Sequence, residues 1–328
     1  MDKTEVRQKA QECIQMIQKI DFETLGVSQY NLEYINQLLP NLEYHFRIYT
    51  DSILILLQKE NAQPWFVDFG GGHGFLSILL KMLGFKVIYC DNNPLSVQTV
   101  TKLKSVLEIG PDHIVEGSSD ELLAYCTSNK IKPNYLIATD LIEHIYDLDI
   151  FFSNLYQINP GFRMIFTTYA NPSNPKTVKK LRKLMTEVEK NMFLPMREDF
   201  IRENYQELTN EEIANLAKSS RGLMYKDISD FVDNYVETKQ ISTICIDKYN
   251  TCDPQSGSWI ERILTLKEYR RIVNKNGFCA EFKRGYYAEN RENPFKSFIT
   301  KGINRCIKYT SFAGRIFTPF LIIKVTQK

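Results

Sequence analysis

A glycine-rich turn contains the residues whose types and spacing most clearly suggest chemistry. The apolar stretch WFVDF is followed by GGGHG, so that Asp68 precedes glycines at positions 70, 72 and 74. Glycine lets the main chain turn tightly and lets a ligand approach backbone N–H groups without a Cβ in the way. The next apolar stretch ends in Asp91, whose carboxylate can accept hydrogen bonds from both hydroxyls of a ribose. The glycine turn and Asp91 together indicate a nucleoside-containing cofactor.

Short apolar runs alternate with helical patterns around this turn. The predicted strands cover residues 65–69, 86–90, 113–117, 135–139 and 163–169, and the predicted helices lie near 75–84, 94–107, 119–128 and 147–157. Such a β-α alternation packs as a mostly parallel sheet with helices on both faces. The turn and the strand ends would then meet at the carboxyl edge of the sheet.

The alternation is interrupted by long helical segments, which predict four parts. These are an N-terminal helical cap (1–62), a cofactor-binding α/β core (63–172), a helical insertion or lid (173–260) and a completion of the core (261–328). In the last part we expect a helix, a strand and a final strand at PFLIIKV.

Composition narrows the class of protein. The chain has 328 residues with 43% hydrophobic and 24% charged residues, which excludes collagen-like, disordered and coiled-coil classes. We find no transmembrane segment, because no apolar run approaches about 18 residues, and no signal-peptide core, so a cytoplasmic location is expected. Seven cysteines, among them Cys245, show no C-x-x-C pair and are expected to be reduced thiols.

Charge is unevenly distributed along the chain. Residues 1–170 contain 13 Lys and Arg against 20 Asp and Glu, whereas residues 171–328 contain 28 against 19. No acidic residue follows Glu292, but seven basic residues do. This imbalance can attract an anionic partner, or it can reflect solvated faces that interact with the acidic half.

The glycine turn also separates two enzyme classes. The dinucleotide fingerprint G-x-G-x-x-G needs a small residue at its last position, where this chain has Phe75 if the motif starts at Gly70 and Ser77 if it starts at Gly72. This mismatch argues against the alternative class, a nicotinamide-dependent oxidoreductase. Instead, VDFGGGHG resembles the first motif of the class I S-adenosylmethionine-dependent methyltransferases. The resemblance continues through IYCDNNP, YLIATDLIEHI, the Pro-Gly turn before RMIFTTY, and NKNGF with PFLIIKV. It covers residues 63–172 well and 264–328 loosely.

The resemblance implies a fold, an activity and a cofactor. The expected fold is α/β, a Rossmann-like methyltransferase sheet that is mostly parallel with an antiparallel last strand, N-terminal helices and a helical insertion after the fifth strand. The expected cofactor is S-adenosylmethionine. The implied cofactor-binding residues are Asp68, Gly70, Gly72 and Gly74 at the methionine part, Asp91 at the ribose, Asn92, Ser119 and Asp120 near the adenine, and Asp140. His73, inside the turn, either faces this ligand or points to solvent.

The motif D-x-x-E-H at the end of the fourth strand is the candidate for catalysis. A hydroxyl or ammonium acceptor must lose a proton, and a carboxylate or imidazole beside the cofactor suits that task. His144 is the first candidate base and Glu143 its catalytic neighbour. Two alternatives stay open: these side chains only brace the loop, or Asp140, Glu143 and His144 ligate a divalent metal with a further ligand that the sequence does not identify. We assign no metal site.

The acceptor is expected to be a small or medium-sized molecule, anionic or lipid-linked, with oxygen as the accepting atom. Segments outside the motifs would line its pocket: Tyr30, Tyr34, Tyr44, His45 and Tyr49 near the N-terminus, Arg197, Arg202, Arg221 and Trp259 in the insertion, and Asn171 and Asn174 at the cleft rim. A different class, a membrane-peripheral or nucleic-acid-binding protein, is suggested by the basic C-terminal stretch with interspersed phenylalanines. There is no strong evidence for nucleic acid. The alternative for that stretch is a helix that packs on the sheet.

Overall fold

The computed structural model describes residues 2–57, 63–242, 247–289 and 293–328. Cys245, Glu292 and the boundary at residue 62 lie outside these ranges. The six cysteines within them are free thiols. None of the helices in these ranges is both long and apolar enough to cross a bilayer.

The strands form one sheet whose order is β3-β2-β1-β4-β5-β7-β6. Their bounds are β1 Trp65–Phe69, β2 Lys86–Asp91, β3 His113–Glu116, β4 Tyr135–Thr139, β5 Arg163–Thr168, β6 Phe278–Arg284 and β7 Leu321–Gln327. Strands β1 to β5 pair in parallel, and β7 is antiparallel to both β5 and β6. The predicted Rossmann-like sheet with an antiparallel last strand is confirmed. Strand β6 ends at Arg284, earlier than the pattern FCAEFKRGYY suggests, because its partner strand β7 begins at Leu321, opposite Arg284.

Helices cover both faces of the sheet. Their bounds are α1 Lys3–Ile17, α2 Gln29–Leu38, α3 Leu42–Leu56, α4 Phe75–Met82, α5 Pro94–Leu107, α6 Ser119–Ser128, α7 Leu148–Ile158, α8 Pro175–Val188, α9 Leu194–Asn204, α10 Asn210–Ser219, α11 Tyr225–Thr238, α12 Leu266–Lys275, α13 Pro294–Tyr309 and α14 Phe312–Phe317. Apolar side chains of α1, α3 and α4 pack on one face, and those of α6, α7 and α12 pack on the other. The two layers bury the nearly continuous apolar strands that a parallel sheet requires.

The helical insertion has an apolar core of its own. Buried side chains of α9, α10 and α11, including Ile201, Leu216, Ile228 and Val232, pack together apart from the sheet. Between α8 and α9 the chain makes a π-helical turn at Glu189–Phe193. These helices follow β5, where the sequence places the insertion, whereas the lid role and the four-part division stay predictions.

A buried ion pair joins the parts of the insertion. Arg197 is fully buried; its guanidinium donates to both carboxylate oxygens of Glu189, at 2.5 and 3.3 Å, and to the Ala217 carbonyl at 2.8 Å. The hydroxyl of Thr251, near the C-terminal end of the insertion, donates to Glu189 at 2.6 Å. Charges this deeply buried are tolerated only when their partners stay in place.

Replacing this arginine should therefore destabilise the insertion. Arg197→Ala leaves the Glu189 carboxylate buried without its counter-ion, so we expect the free energy of unfolding to fall by about 3–5 kcal/mol. Urea denaturation followed by circular dichroism measures the loss. The matched control is Arg202→Ala in the same helix, which removes only an exposed pair with Asp199 and should cost less than about 1 kcal/mol. Equal losses in the two variants would contradict the structural role of Arg197.

Candidate active site

Asp91 fixes the glycine turn against the second strand. Its Oδ2 accepts a hydrogen bond from the Gly72 N–H at 2.8 Å, and its Oδ1 accepts one from the Asn93 N–H at 2.8 Å. The Tyr89 hydroxyl donates to the Gly72 carbonyl at 2.6 Å, so both the N–H and the carbonyl of Gly72 are hydrogen-bonded. Burial raises the pKa of Asp91, and the two backbone donors act in the opposite direction.

The turn itself requires glycine for two different reasons. Gly72 has φ +52°, a left-handed conformation, and a Cβ there would meet only a Tyr34 carbon at 3.9 Å, so its backbone faces open space. Gly74 lies where a Cβ would overlap Val100 at 1.9 Å. The missing side chain at Gly72 leaves the main chain accessible to a ligand. The missing side chain at Gly74 lets α4 and α5 approach each other.

Asp68 lies beneath this turn. It is buried at the end of β1, and its Oδ2 accepts a hydrogen bond from the Ser77 hydroxyl at 2.7 Å. Burial raises its pKa to about 7, while the bonds from Ser77 lower it. Asp68 thus ties β1 to the first turn of α4, which keeps the glycine turn in register.

A cavity opens above the glycine turn at the carboxyl edge of the sheet. Its walls come from the N-terminal helices (Tyr34, Leu38, His45, Ile48, Tyr49), the glycine turn (Gly70, Gly71, Gly72, His73) and the ends of β4 and β5 (Thr139, Asp140, Thr167, Tyr169). Sequence reasoning named Tyr34, His45 and Tyr49 but missed Thr139, Thr167 and Tyr169. Their position at the ends of predicted strands was the available signal, because parallel strands present their last residues to this edge.

His73 faces the protein and not the solvent. Its ring is buried, lies 3.9 Å from the Phe75 ring centroid and 5.7 Å from that of Tyr34, and its Nδ1 accepts from the Phe75 N–H at 3.3 Å. Burial lowers its pKa to about 3, with His45 adding to the effect. The imidazole is therefore neutral and forms part of the cavity wall.

The residues predicted near the adenine have different surroundings. Asn92 follows β2 and is exposed. Ser119 is buried, and its hydroxyl accepts from the Asn154 amide at 3.0 Å, which also donates to Asp120 at 2.8 Å. Both Ser119 and Asp120 lie in the first turn of α6, directly after β3. They are close to the edge that carries Asp91, since β2 and β3 are neighbours.

The acid-histidine motif forms a turn instead of a helix. The His144 N–H donates to the Leu141 carbonyl at 2.8 Å, and Asp140 has a left-handed φ of +55°. Glu143 is buried, and its Oε1 accepts from the Thr168 hydroxyl at 2.6 Å and the Tyr169 N–H at 3.0 Å. This carboxyl therefore connects the turn after β4 to the end of β5.

The end of the insertion and the residues directly after it lie against this turn. The Trp259 N–H donates to the His144 carbonyl and the Arg262 N–H to the Glu143 carbonyl, both at 3.1 Å. The His144 ring contacts the Trp259 carbonyl through Nδ1 at 2.7 Å. Arg197, Arg202 and Arg221, in contrast, pair within the insertion.

Three potential ligand atoms converge beside the turn. Donor atoms of Glu143, His144 and Glu261 lie within 4.8 Å of one another. Among the residues that the structure describes, Oε2 of Glu143 and Oε2 of Glu261 have no hydrogen-bond partner. The metal hypothesis from the sequence used Asp140, Glu143 and His144 with a further ligand; in the structure Glu261 converges with Glu143 and His144, and Asp140 is not in the group. Such a set can bind a cation or exchange protons.

Burial makes these carboxyls weak acids. It raises the pKa of Glu143 well above the ordinary value, and the nearby Asp140 charge adds to the effect. Asp140 reaches solvent at the cavity, yet the surrounding protein also raises its pKa. Burial raises the pKa of Glu261 to about 7, with His144 opposing the shift and Asp140 adding to it.

The shift at Glu261 predicts a dependence of stability on pH. The unfolded carboxyl ionises near pH 4.5, whereas the folded one stays protonated until about pH 7. Between these values the folded state binds more protons, so rising pH lowers the free energy of unfolding. In Glu261→Gln this decrease should be smaller, as measured by urea denaturation at about pH 5 and about pH 7.5.

The matched control is Glu237→Gln, the same change at an exposed position of α11. It should leave the difference between the two pH values as in the unmodified chain. A Glu261→Gln variant with an unchanged difference would contradict a raised pKa at this position.

Asp91, Gly72 and the cavity beside them have the groups that the expected cofactor needs. Each Asp91 oxygen accepts one backbone bond and has a second lone pair for a ribose hydroxyl. The backbone at Gly72 is uncovered, and the cavity beside it is lined by aromatic and polar groups. These features fit a nucleoside with an amino-acid tail.

A family model described as a methyltransferase domain matches residues 42–223, more than half of the chain. A search of curated proteins gave no significant match.

Several solved structures are similar in fold. One is a SAM-dependent methyltransferase from Archaeoglobus fulgidus, with 13% identity over 88% of this chain and 93% of that chain and a TM-score of 0.42. A SAM-dependent methyltransferase from Methanosarcina mazei has 11% identity over 84% and 96%, with a TM-score of 0.41. A magnesium protoporphyrin IX methyltransferase from Synechocystis PCC 6803, with bound SAH, has 14% identity over 81% and 74%, with a TM-score of 0.36.

The family model spans α3, the glycine turn, the first five strands and the helices α8 to α10 of the insertion. The chain therefore belongs to the class I methyltransferases, and its cofactor is S-adenosylmethionine.

Proposed function

We propose that this enzyme methylates an oxygen atom of a small or medium-sized molecule, with His144 as the base. The observation that carries the proposal is the contact between His144 Nδ1 and the Trp259 carbonyl at 2.7 Å. A carbonyl oxygen can only accept a hydrogen bond, so the ring proton belongs on Nδ1 and Nε2 keeps its lone pair. An imidazole in this tautomer is ready to take a proton from an acceptor hydroxyl.

The carboxyls beside His144 support the same role. Donor atoms of Glu143 and Glu261 lie within 4.8 Å of it. Burial raises the pKa of Asp140, and the His144 charge opposes that rise, so the two groups interact. Above about pH 7 the Glu261 carboxyl ionises, and its negative charge near the ring would then stabilise the imidazolium that forms when the proton is taken. We propose that the acceptor enters between Asp140 on the cavity wall and the His144 ring.

The cofactor-binding roles of the turn are part of the proposal. Asp91 would hold the ribose and Asn92 would lie beside the adenine. Asp68, Gly70, Gly72 and Gly74 would border the methionine part, and Asp140 would lie between cofactor and acceptor. Support comes from the free acceptor capacity of Asp91 and the uncovered main chain at Gly72. Ser119 or Asp120 would contact the adenine from the neighbouring strand end.

When bound, S-adenosylmethionine supplies a methyl group on a positively charged sulfur; transfer forms an O–CH3 bond, breaks the S–CH3 bond, leaves S-adenosylhomocysteine and frees the acceptor proton. The protein contributes position and proton uptake. Orientation alone can be worth effective molarities of about 10⁵ M or more. The walls from the N-terminal helices would exclude water from this step.

The role of Asp91 is tested by cofactor binding. Asp91→Ala removes the ribose acceptor and also releases the Gly72 N–H, so calorimetry should detect no binding of S-adenosylmethionine. The control is Asp112→Ala, whose carboxylate accepts from the Val87 N–H near the other end of the same strand. That variant can lose stability but should keep its affinity. Unchanged affinity in Asp91→Ala would contradict the assignment.

The base is tested by turnover with retained binding. His144→Gln should bind S-adenosylmethionine normally and lose about 10²- to 10⁴-fold in methyl transfer, because the proton has no acceptor. Phenols, sugars and carboxylates are screened with deuterated cofactor, and mass spectrometry locates the methyl group. His113→Gln is the control, since this ring lies on β3 and contacts Tyr125.

Three results would contradict the proposal. Methylation confined to amines would remove oxygen as the acceptor atom. Loss of turnover in His45→Gln with normal turnover in His144→Gln would assign the base to the cavity wall. Loss of activity on chelation, restored by Mg²⁺ or Mn²⁺, would assign Glu143, His144 and Glu261 to a cation.

A further inference from the structure

The helix α13 presents its apolar face to the outside. Phe295, Phe298 and Ile299 follow the i, i+3, i+4 spacing, and Tyr309 returns to the same side about four turns later. Within the described ranges, the four most exposed large apolar side chains all belong to this region: Phe298 (77%), Phe312 (77%), Phe295 (72%) and Tyr309 (70%). A helix that packs on the sheet would bury these residues.

The opposite side of α13 attaches the helix to the protein. Ile307 is its one buried residue in the described structure. The Asn304 amide exchanges two hydrogen bonds with the main chain of Tyr287, at 2.9 and 3.0 Å. The Arg284 guanidinium donates to the Thr310 carbonyl just after the helix. The orientation of α13 is thus fixed, with its apolar face away from the core.

Positively charged residues lie beside the exposed aromatic residues. At 100° per residue, Lys301, Arg305 and Lys308 lie along one flank of the apolar face. Beside α14, a cavity of about 280 Å³ is lined by four cations, Arg270, Lys283, Arg284 and Arg315, and by no acidic residue. The sequence also contains no acid after Glu292. The surface therefore combines apolar and cationic character, with one carboxylate at its edge, Glu289, which lies 3.9 Å from the Lys301 ammonium group.

We propose that α13 and α14 form a docking surface for an anionic lipid bilayer. An interfacial helix binds in this way, with its apolar face among the acyl chains and its Lys and Arg residues at the headgroups. A second copy of the chain fits less well, because the same surface would place cations against cations. A nucleic acid would match the positive charge of this surface through its phosphates. It would leave the outward phenylalanines on the convex helix uncovered.

The docking surface is connected to the sheet edge that carries the cavity. Directly after α14, the Thr318 carbonyl accepts hydrogen bonds from Asn171 at 2.9 Å and Asn174 at 3.1 Å, which follow β5. The ring of Phe320 lies 5.4 Å from that of Tyr169 in the cavity wall. A bilayer bound to α13 and α14 would thus lie near the methyl-transfer site.

Vesicle co-sedimentation with the full chain tests the proposal. We expect binding to phosphatidylcholine vesicles containing about 30% phosphatidylglycerol, weaker binding to phosphatidylcholine alone, and a decrease when salt rises from about 0.1 M to about 0.5 M. The triple variant Phe295→Ser, Phe298→Ser, Phe312→Ser should bind at least about tenfold more weakly. The variant Lys301→Ala, Arg305→Ala, Lys308→Ala should lose the preference for anionic vesicles.

Matched controls change exposed residues elsewhere. Val106, Ile150 and Met192 are exposed apolar residues outside the surface, and their triple substitution by Ser should leave vesicle binding unchanged. Likewise, Lys179→Ala, Lys183→Ala, Lys190→Ala removes three exposed charges from the insertion and should retain the preference. All variants should bind S-adenosylmethionine normally, which shows that the fold is intact.

Four outcomes would overturn the proposal. They are the absence of binding to anionic vesicles, equal binding by the aromatic variant, binding to single-stranded RNA but not to vesicles, and a dimer in light scattering that the aromatic variant converts to a monomer. The last two would assign the surface to nucleic acid and to a second copy, respectively.

Discussion

The carboxylate of Asp91 imposes the constraint on which the cofactor site depends. It is 8% exposed, so its charge loses most of its hydration, and the N–H groups of Gly72 and Asn93 compensate. The bond from the Gly72 N–H also holds the glycine turn at the end of β2. Because the turn is fixed before any ligand arrives, the uncovered main chain at Gly72 does not have to be ordered on binding. Preorganisation of this kind lowers the entropy lost in binding.

Local pattern was sufficient to predict the sheet and its chemistry-bearing ends. The strands from WFVDF to RMIFTT and the turn at GGGHG are specified by residues that are neighbours in sequence, and the parallel topology brings Asp68, Asp91 and Asp140 to one edge. Contacts across long separations were not accessible in this way. Glu261 and the Trp259 carbonyl lie beside His144 in the structure, although Trp259 is 115 residues from it in sequence.

Periodicity also leaves undetermined what covers an apolar face. The i, i+3, i+4 pattern of α7 places Phe151, Phe152 and Leu155 in the core, whereas a comparable pattern in α13 places Phe295 and Phe298 outside. The spacing is the same because it reflects only the geometry of the helix. Anchors on the other side of α13, Ile307 and Asn304, decide its orientation, and their effect depends on Tyr287 and β6 being in place.

The insertion and the acid-histidine turn are linked by a continuous series of contacts. Glu189 accepts from Arg197 and from Thr251, and the Thr251 carbonyl accepts the Ile260 N–H at 3.1 Å. The adjoining Trp259 and Arg262 then bond the main chain of His144 and Glu143. A buried charge cannot shift without losing its partners, so the Glu189 pair limits the movement of this segment. The insertion therefore contributes to the site by holding the turn through Trp259, in addition to the bonds from Thr168 and Tyr169 at the end of β5.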